Sequence, residues 1–133
     1  MKQVVRIVVA MLVLGAGRAI AHHSFAGEYD ANQPVTLHGQ IVRLELVNPH
    51  SWLDLDVKDS DGKAVRWTVE MGAPNMLVRR GLSETNLPIG ETVSVDGYRA
   101  KNGSSRISAR QIRLPDGRTL FAGSSNSVAP GDK

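Results

Sequence analysis

Side chains that can bind a metal through nitrogen stand at two places in the chain, residues 21–24 (AHHS) and residues 48–52 (NPHSW). If processing makes His22 the first residue, its α-amine and its imidazole become two nitrogen ligands on one residue. His23 then adds a third nitrogen next to them. Copper(II) favours nitrogen-rich, roughly planar sites. The pattern predicts a copper site of the histidine-brace type formed by His22, His23 and His50.

Two methionines extend this hypothesis, and each feature also has a structural interpretation. Met71 and Met76 offer soft thioether ligands suited to copper(I). Methionines beside a short helix also fill cores, however, and adjacent histidines also occur at a processing junction. His50 follows Pro49 and can simply cap a turn.

A second kind of binding site is indicated by aromatic and basic side chains on strand-like runs. We identify Trp52, Trp67, Arg66 and Arg99 as a candidate ligand-binding face. Such a face suits an anionic envelope polymer, a lipid headgroup or a partner protein. A separate hypothesis is that the chain is a purely structural partner of a larger envelope complex. The alternative is that the arginines pair with carboxylates on a solvated surface.

Residues 1–21 have the pattern of a secretory signal peptide. Lys2 and Arg6 give a basic start, residues 7–17 are apolar and uncharged, and residues 19–21 form a small-x-small cleavage motif. The apolar run is too short for a membrane span, although an uncleaved N-terminal anchor is the alternative. The sequence therefore predicts a bacterial periplasmic or secreted protein with no transmembrane segment after processing.

Charge and cysteine content exclude several functional classes. The whole chain has 16 Lys and Arg against 13 Asp and Glu, but three of the basic residues lie in the leader. Residues 22–133 are therefore neutral overall and have no global field to gather nucleic acid. The absence of cysteine rules out disulfides, a thiolate zinc site and a cysteine nucleophile.

Catalytic motifs are absent from the sequence. It contains no phosphate-binding loop, no HExxH helix and no recognisable Ser-His-Asp spacing. Glu70, Asp54 and Asp56 are acid or base groups in principle, but such residues usually serve solvation or pairing. We name no catalytic residue, and the sequence predicts a non-enzymatic binding or accessory module.

Alternating apolar residues and turn signals predict one small all-β domain. Pro74 and Gly81 bracket a short helix between the third and fourth strands. This order is that of a five-stranded, OB-like Greek-key barrel, with an SH3-like roll as the alternative. The predicted segments are an N-terminal arm at 22–34, the barrel at 35–121 and a disordered tail at 122–133.

In two predicted strands, the apolar residues switch from one face of the strand to the other. In 35–47, Leu37 and Ile41 share one face, whereas Leu44 has the other parity. In 106–114, Ile107 and Ile112 differ in the same way. A strand that switches faces needs a bulge or a bend, which Gly39 favours in the first strand.

The chain resembles a family of small exported bacterial proteins known only as a domain of unknown function. The resemblance rests on AHHSFAGEYD, TLHGQIVRLELVNPHSWLDLDVKD, EMGAPNMLVRRG, VDGYRAKNGSSRISAR and LPDGRTLFAGSS. It implies export and an OB-type barrel, and it implies no particular activity.

Overall fold

A computed structural model describes residues 24–124 of the chain. The elements in chain order are α1 (Ser24–Glu28), β1 (Tyr29–Glu45), β2 (Trp52–Lys58), β3 (Ala64–Glu70), α2 (Pro74–Arg79), β4 (Thr92–Ala100), β5 (Arg106–Arg113) and β6 (Thr119–Phe121). The signal-peptide prediction, His22 and His23 lie outside the described residues.

The strands form one sheet in the order β3-β2-β1-β4-β5-β6, and β3 also pairs with β5. This second pairing is parallel and joins residues 68–70 to residues 106–108. Because it links the first strand in the sheet order to the fifth, the sheet curls into a partly open barrel with a short seam. The all-β prediction is confirmed, as is the short helix between the third and fourth strands, but the sheet has six strands where five are predicted and does not close into a complete barrel.

The long strand β1 serves both halves of the sheet. It pairs with β4 through residues 34–40 and with β2 through residues 39–45. The register with β2 shifts between Ile41 and Arg43, which is the bulge that the parity change predicts. Gly39 has a different role, because a Cβ there would lie 2.8 Å from the Asp56 carbonyl oxygen. Glycine lets the two backbones approach.

Strand β5 also contains an extra residue, as its parity predicts. Asp96 pairs with Gln111 and Gly97 pairs with Ala109, so Arg110 is the extra residue where the register between β4 and β5 shifts. The bulge divides β5 into two parts. The first part meets β3 at the seam, and the second part pairs with β6.

The barrel interior is a single apolar cluster to which every long strand contributes. Alternate residues of β2, β3 and β5 face this cluster, since cross-strand partners share a face of the sheet. Its fully buried members include Ile41, Leu53, Leu55, Val69, Val95, Ile107, Ala109 and Ile112.

The ends of the barrel differ from the predicted boundaries. The arm predicted at 22–34 is largely a continuation of β1, which begins at Tyr29. Tyr29 pairs with Ala100 and is buried. At the other end, Ala122 is fully buried and accepts a hydrogen bond of 2.9 Å from the Gly72 backbone. Residues 122–124 therefore pack on the barrel and do not belong to a disordered tail.

The two helices are short. The helix α2 starts at Pro74 and ends before Gly81, whose φ of +91° favours glycine. Within residues 24–124, neither helix has the length and hydrophobicity needed to cross a membrane.

Candidate ligand site at the seam of the barrel

A cavity of about 190 Å³ lies at the seam where β3 meets β5. We call it the seam cavity. Its walls come from α1, β1, β2, β3, β5, the loop before β2 and the C-terminal segment. It is lined by Phe25, Glu28, Tyr29, His50, Trp52, Glu70, Arg106, Ser108 and Ser124.

Strand register explains why these side chains share the outer face of the sheet. Trp52 is the cross-strand partner of Glu70, whereas their neighbours Leu53 and Val69 pair with each other inside the barrel. The parallel pairing with β5 then sets Glu70 beside residue 108 and residue 68 beside Arg106. The alternation that builds the core therefore also builds the cavity.

Glu70 is the centre of the polar contacts in the seam cavity. Its Oε1 lies 2.6 Å from Nδ1 of His50. Its Oε2 accepts a hydrogen bond of 2.8 Å from Arg106 and another from the Tyr29 hydroxyl. The Glu70 side chain is only 13% exposed, so the three contacts replace water around the carboxylate.

Tyr29 is held as a neutral hydrogen-bond donor. Burial raises its pKa well above the ordinary value, and the hydrogen bond to Glu70 and the charge of that carboxylate raise it further. The phenol therefore stays protonated throughout the physiological pH range and keeps donating to Glu70.

Arg106 is stacked against two aromatic rings. Its guanidinium lies 4.9 Å from the Trp52 ring centroid and 5.5 Å from that of Tyr29. Besides Glu70 it contacts Glu28 at 3.3 Å. Burial acts against the guanidinium charge, but the hydrogen bond to Glu70 and the nearby acids outweigh it and raise the pKa.

These contacts determine what His50 can offer a ligand. An ionised carboxylate can only accept, so the neutral His50 imidazole has its proton on Nδ1, which lies 2.6 Å from Glu70. The other ring nitrogen, Nε2, then has a free lone pair that can bind a metal or accept a proton. A histidine that ligates a metal almost always donates its other ring N–H to a carboxylate, a backbone carbonyl or water.

The formal charge of the seam cavity favours a cation. Glu28 and Glu70 face the single guanidinium of Arg106, and His50 adds charge only if it is protonated. With His50 neutral, the lining therefore has an excess of negative charge. A positively charged ligand gains from that field, and an anionic ligand does not.

The structure brings His50 and Trp52 together but separates the other residues of the predicted aromatic face. Trp67 pairs with Leu55 on the core face and packs against the interior, with Arg99 over its ring at 5.4 Å. Trp52 and Trp67 therefore lie on opposite faces of the sheet. Arg66 is on the outer face, where it pairs with the carboxylate of Asp56.

The predicted sulfur ligands lie apart from the cavity lining. Met71 is 1% exposed and belongs to the apolar core cluster, where it fills space. Met76 lies on α2 and is half-buried. Neither residue lines the seam cavity. Within residues 24–124, no group of three or more His, Cys, Asp or Glu side chains is arranged to hold a metal.

Most partners of His50 are not apparent from the sequence. The sequence indicates Glu70 only as a possible acid or base, and it gives no sign that Tyr29 belongs to a site. The β2–β3 hairpin contained the signal for Glu70, because a tight turn at residues 59–62 sets Trp52 opposite it. No comparable local signal identifies Arg106, because the pairing of β3 with β5 brings it to the seam cavity.

Comparison with known proteins places the chain in a family. No similar curated protein was found. The model of the family of unknown function DUF6152 matches residues 9–109, which is most of the chain and includes β1 to β4 and the start of β5. The predicted membership in a domain-of-unknown-function family is confirmed. The chain belongs to the DUF6152 family.

Proposed function

We propose that the protein is an exported, non-enzymatic binding module that takes copper(II) at the seam cavity. The ligands are the α-amine and imidazole of His22, the imidazole of His23, and Nε2 of His50. One observation carries the proposal. His50 turns Nδ1 to Glu70 at 2.6 Å and shares its cavity with Phe25, which follows His22 by three residues.

Chain length supports the approach of the two histidines to His50. An extended chain advances at most about 3.6 Å per residue. The Cα of His23 is therefore within about 7 Å of the Cα of Phe25, and that of His22 within about 11 Å. Phe25 and His50 line the same cavity of about 190 Å³, so His22 and His23 precede a lining residue by only three and two positions.

The chemistry of the site favours copper(II) among common metals. All proposed ligands are nitrogen atoms. Among the first-row divalent metal ions, copper(II) binds such ligands most tightly. The Glu70 carboxylate lies 2.6 Å from Nδ1 of His50 and orients the ring so that Nε2 is available to the metal. The negative lining of the cavity adds a favourable field for a dication.

A second candidate is the binding of an envelope polymer, a lipid or a partner protein through Trp52. It is favoured by the position of the Trp52 ring, which is half-buried in the cavity wall and stacked with Arg106. Glu70 and Glu28 pair with Arg106, so contact here would depend on the ring more than on charge. Loss of ligand binding in Trp52→Ala but not in His50→Ala would support this candidate.

Copper titration of the processed protein tests the first proposal. We expect His22→Ala and His50→Ala each to weaken copper(II) binding by about tenfold or more, because each removes a ligand. His38→Ala is the matched control, since His38 is exposed and contacts Ser94 on another part of the sheet. Affinities unchanged in His22→Ala and His50→Ala would refute the proposal.

Export is tested separately, by cell fractionation and N-terminal sequencing of the protein from its own bacterium. We expect the protein in the periplasmic fraction or the medium, with His22 as its first residue. A protein that stays in the cytoplasm with residues 1–21 attached would overturn the export proposal. It would also remove the free α-amine on which the copper site depends.

A further inference from the structure

We propose that Asn102 is a site of spontaneous covalent modification: in the folded protein, the turn between β4 and β5 promotes attack of the Gly103 backbone nitrogen on the side-chain amide of Asn102. Asn102 is the only asparagine of the chain that precedes a glycine. Both residues are exposed, so water reaches the amide. The inference is independent of the proposed function and concerns a different part of the barrel.

Two donors of Ser104 polarise the side-chain carbonyl of Asn102. The Ser104 backbone N–H donates to Oδ1 at 3.0 Å, and the Ser104 hydroxyl donates to the same oxygen at 2.7 Å. Attack at Cγ gives a tetrahedral intermediate whose negative charge falls on this oxygen. Donors that already point to the place where charge develops lower the barrier for such a step. Ser104 therefore forms a small oxyanion hole for the side chain of Asn102.

The attacking nitrogen of Gly103 is held loosely and is unhindered. Its N–H donates to the Ala100 carbonyl at 3.2 Å, which is the long end of the range for N–H···O bonds. Gly103 has a φ of +78°, a conformation that favours glycine. The turn thus places the residue without a Cβ directly after Asn102, where the nucleophile has to be.

The reaction involves no change of oxidation state and needs only water. The Gly103 nitrogen forms a bond to Cγ of Asn102 while the bond from Cγ to Nδ2 breaks, and the Gly103 amide proton leaves with that nitrogen as ammonia. Water then opens the resulting succinimide. Opening of the new bond at Cγ leaves an aspartate with an ordinary backbone. Opening at the main-chain carbonyl leaves an isoaspartate, in which the chain runs through Cβ and Cγ.

Formation of isoaspartate should alter the turn that leads into β5. It inserts Cβ into the main chain, which shifts Gly103 away from the Ala100 carbonyl and from the Arg99 guanidinium that now lies 3.3 Å from the Gly103 carbonyl. Arg106, the first residue of β5, follows three positions later and lines the seam cavity. We expect the isoaspartate form to have a lower urea midpoint than the aspartate form, which keeps the ordinary backbone.

Timed peptide mapping of the folded protein at mildly alkaline pH tests the proposal. We expect the mass change from amide to acid to appear first in the peptide that contains residue 102, as a mixture of aspartate and isoaspartate. Ser104→Ala removes the hydroxyl donor and keeps the backbone donor. It should slow the conversion by about two- to tenfold, the contribution of one ordinary hydrogen bond. Ser60→Ala is the matched control, since Ser60 is exposed in the turn between β2 and β3.

The same chains unfolded in guanidinium chloride separate the effect of the folded turn from that of the bare Asn-Gly pair. We expect Asn102 of the wild type to react at least as fast in the folded protein as in the unfolded chain, and Ser104→Ala to react more slowly when folded. A wild-type protein that reacts more slowly when folded would show that the turn protects the amide, which would overturn the proposal. Equal folded rates in the wild type and Ser104→Ala would overturn it as well.

Discussion

The barrel interior and the seam cavity are built from the same strands but have different roles. Leu53, Val69 and Ile107 are fully buried inside. Their immediate chain neighbours Trp52, Glu70 and Arg106 face the cavity on the outside. Because side chains alternate along a strand, the hydrophobic packing that fixes one face also fixes the position of the other. The interior supplies stability, and the cavity supplies directed polar groups.

Substitutions in the two regions should therefore separate stability from binding. An interior truncation should cost folding free energy and leave the affinity of the folded protein alone. A change in the cavity should affect both quantities, since its buried polar groups hold one another and also orient His50. The two kinds of variant therefore provide direct tests of the division.

The largest loss of stability should come from Leu53→Ala. Leu53 is fully buried in the interior cluster, and its truncation leaves a cavity. We expect a loss of about 2–5 kcal/mol in the free energy of unfolding, measured by urea denaturation. Copper affinity, measured where the variant is still folded, should match that of the wild type. A parallel loss of affinity would show that the two regions are not separate.

A smaller loss of stability, together with a loss of binding, should come from Glu70→Gln. The change keeps the shape of the side chain but removes the charge that three donors share. We expect about 1–3 kcal/mol less stability, because the partners lose a charged acceptor. Copper affinity should fall by about 10–100-fold, as for other carboxylates that orient a metal-binding histidine.

Asp56→Asn is the control for Glu70→Gln. Asp56 lies on the same outer face of the barrel, but its partner Arg66 is exposed and the pair contacts solvent. We expect little change in the urea midpoint and none in copper affinity. If Asp56→Asn lowered stability and copper affinity as much as Glu70→Gln, the special role assigned to Glu70 and its partners would be refuted.

The smallest effect should be a change in the pH dependence of stability in Tyr29→Phe. Folding raises the pKa of Tyr29 above its ordinary value of about 10. Above pH 10, Tyr29 of the folded protein therefore keeps a proton that the unfolded chain loses. This stabilisation is complete below pH 10 and is lost as the pH rises further, by at most about 1.4 kcal/mol per pH unit. Unfolding free energies between pH 8 and 11 should fall less steeply in Tyr29→Phe. Equal slopes of unfolding free energy against pH in the two proteins would contradict the raised pKa of the buried Tyr29 phenol.

The sequence predicts the strands and the hairpin register because those depend on short-range patterns. Alternation in β2 and β3 and a turn with Gly62 at φ +78° suffice to pair residue 52 with residue 70. The bulges in β1 and β5 follow from parity changes in the same way. Residues 118–121 suggest a short final strand, but the predicted five-stranded count leaves it out because three residues at 119–121 give little periodicity.

The composition of the seam cavity could not be predicted, because its parts are distant in sequence. Arg106 joins through the parallel seam, and Tyr29 joins because β1 begins six residues earlier than alternation indicates. Three polar residues at 30, 32 and 33 hide that extension, since they lie in a half-exposed part of the strand. The tryptophan pair was grouped by residue type, and the register separates its members.

The most direct test of the central claim is the EPR spectrum of the processed protein with one equivalent of copper(II), compared with that of His50→Ala. If His50 binds the metal through Nε2 in the seam cavity, the variant should show one fewer coordinated imidazole nitrogen in its superhyperfine pattern. Identical spectra for the two proteins would contradict the account and leave His50 as a partner of Glu70 alone.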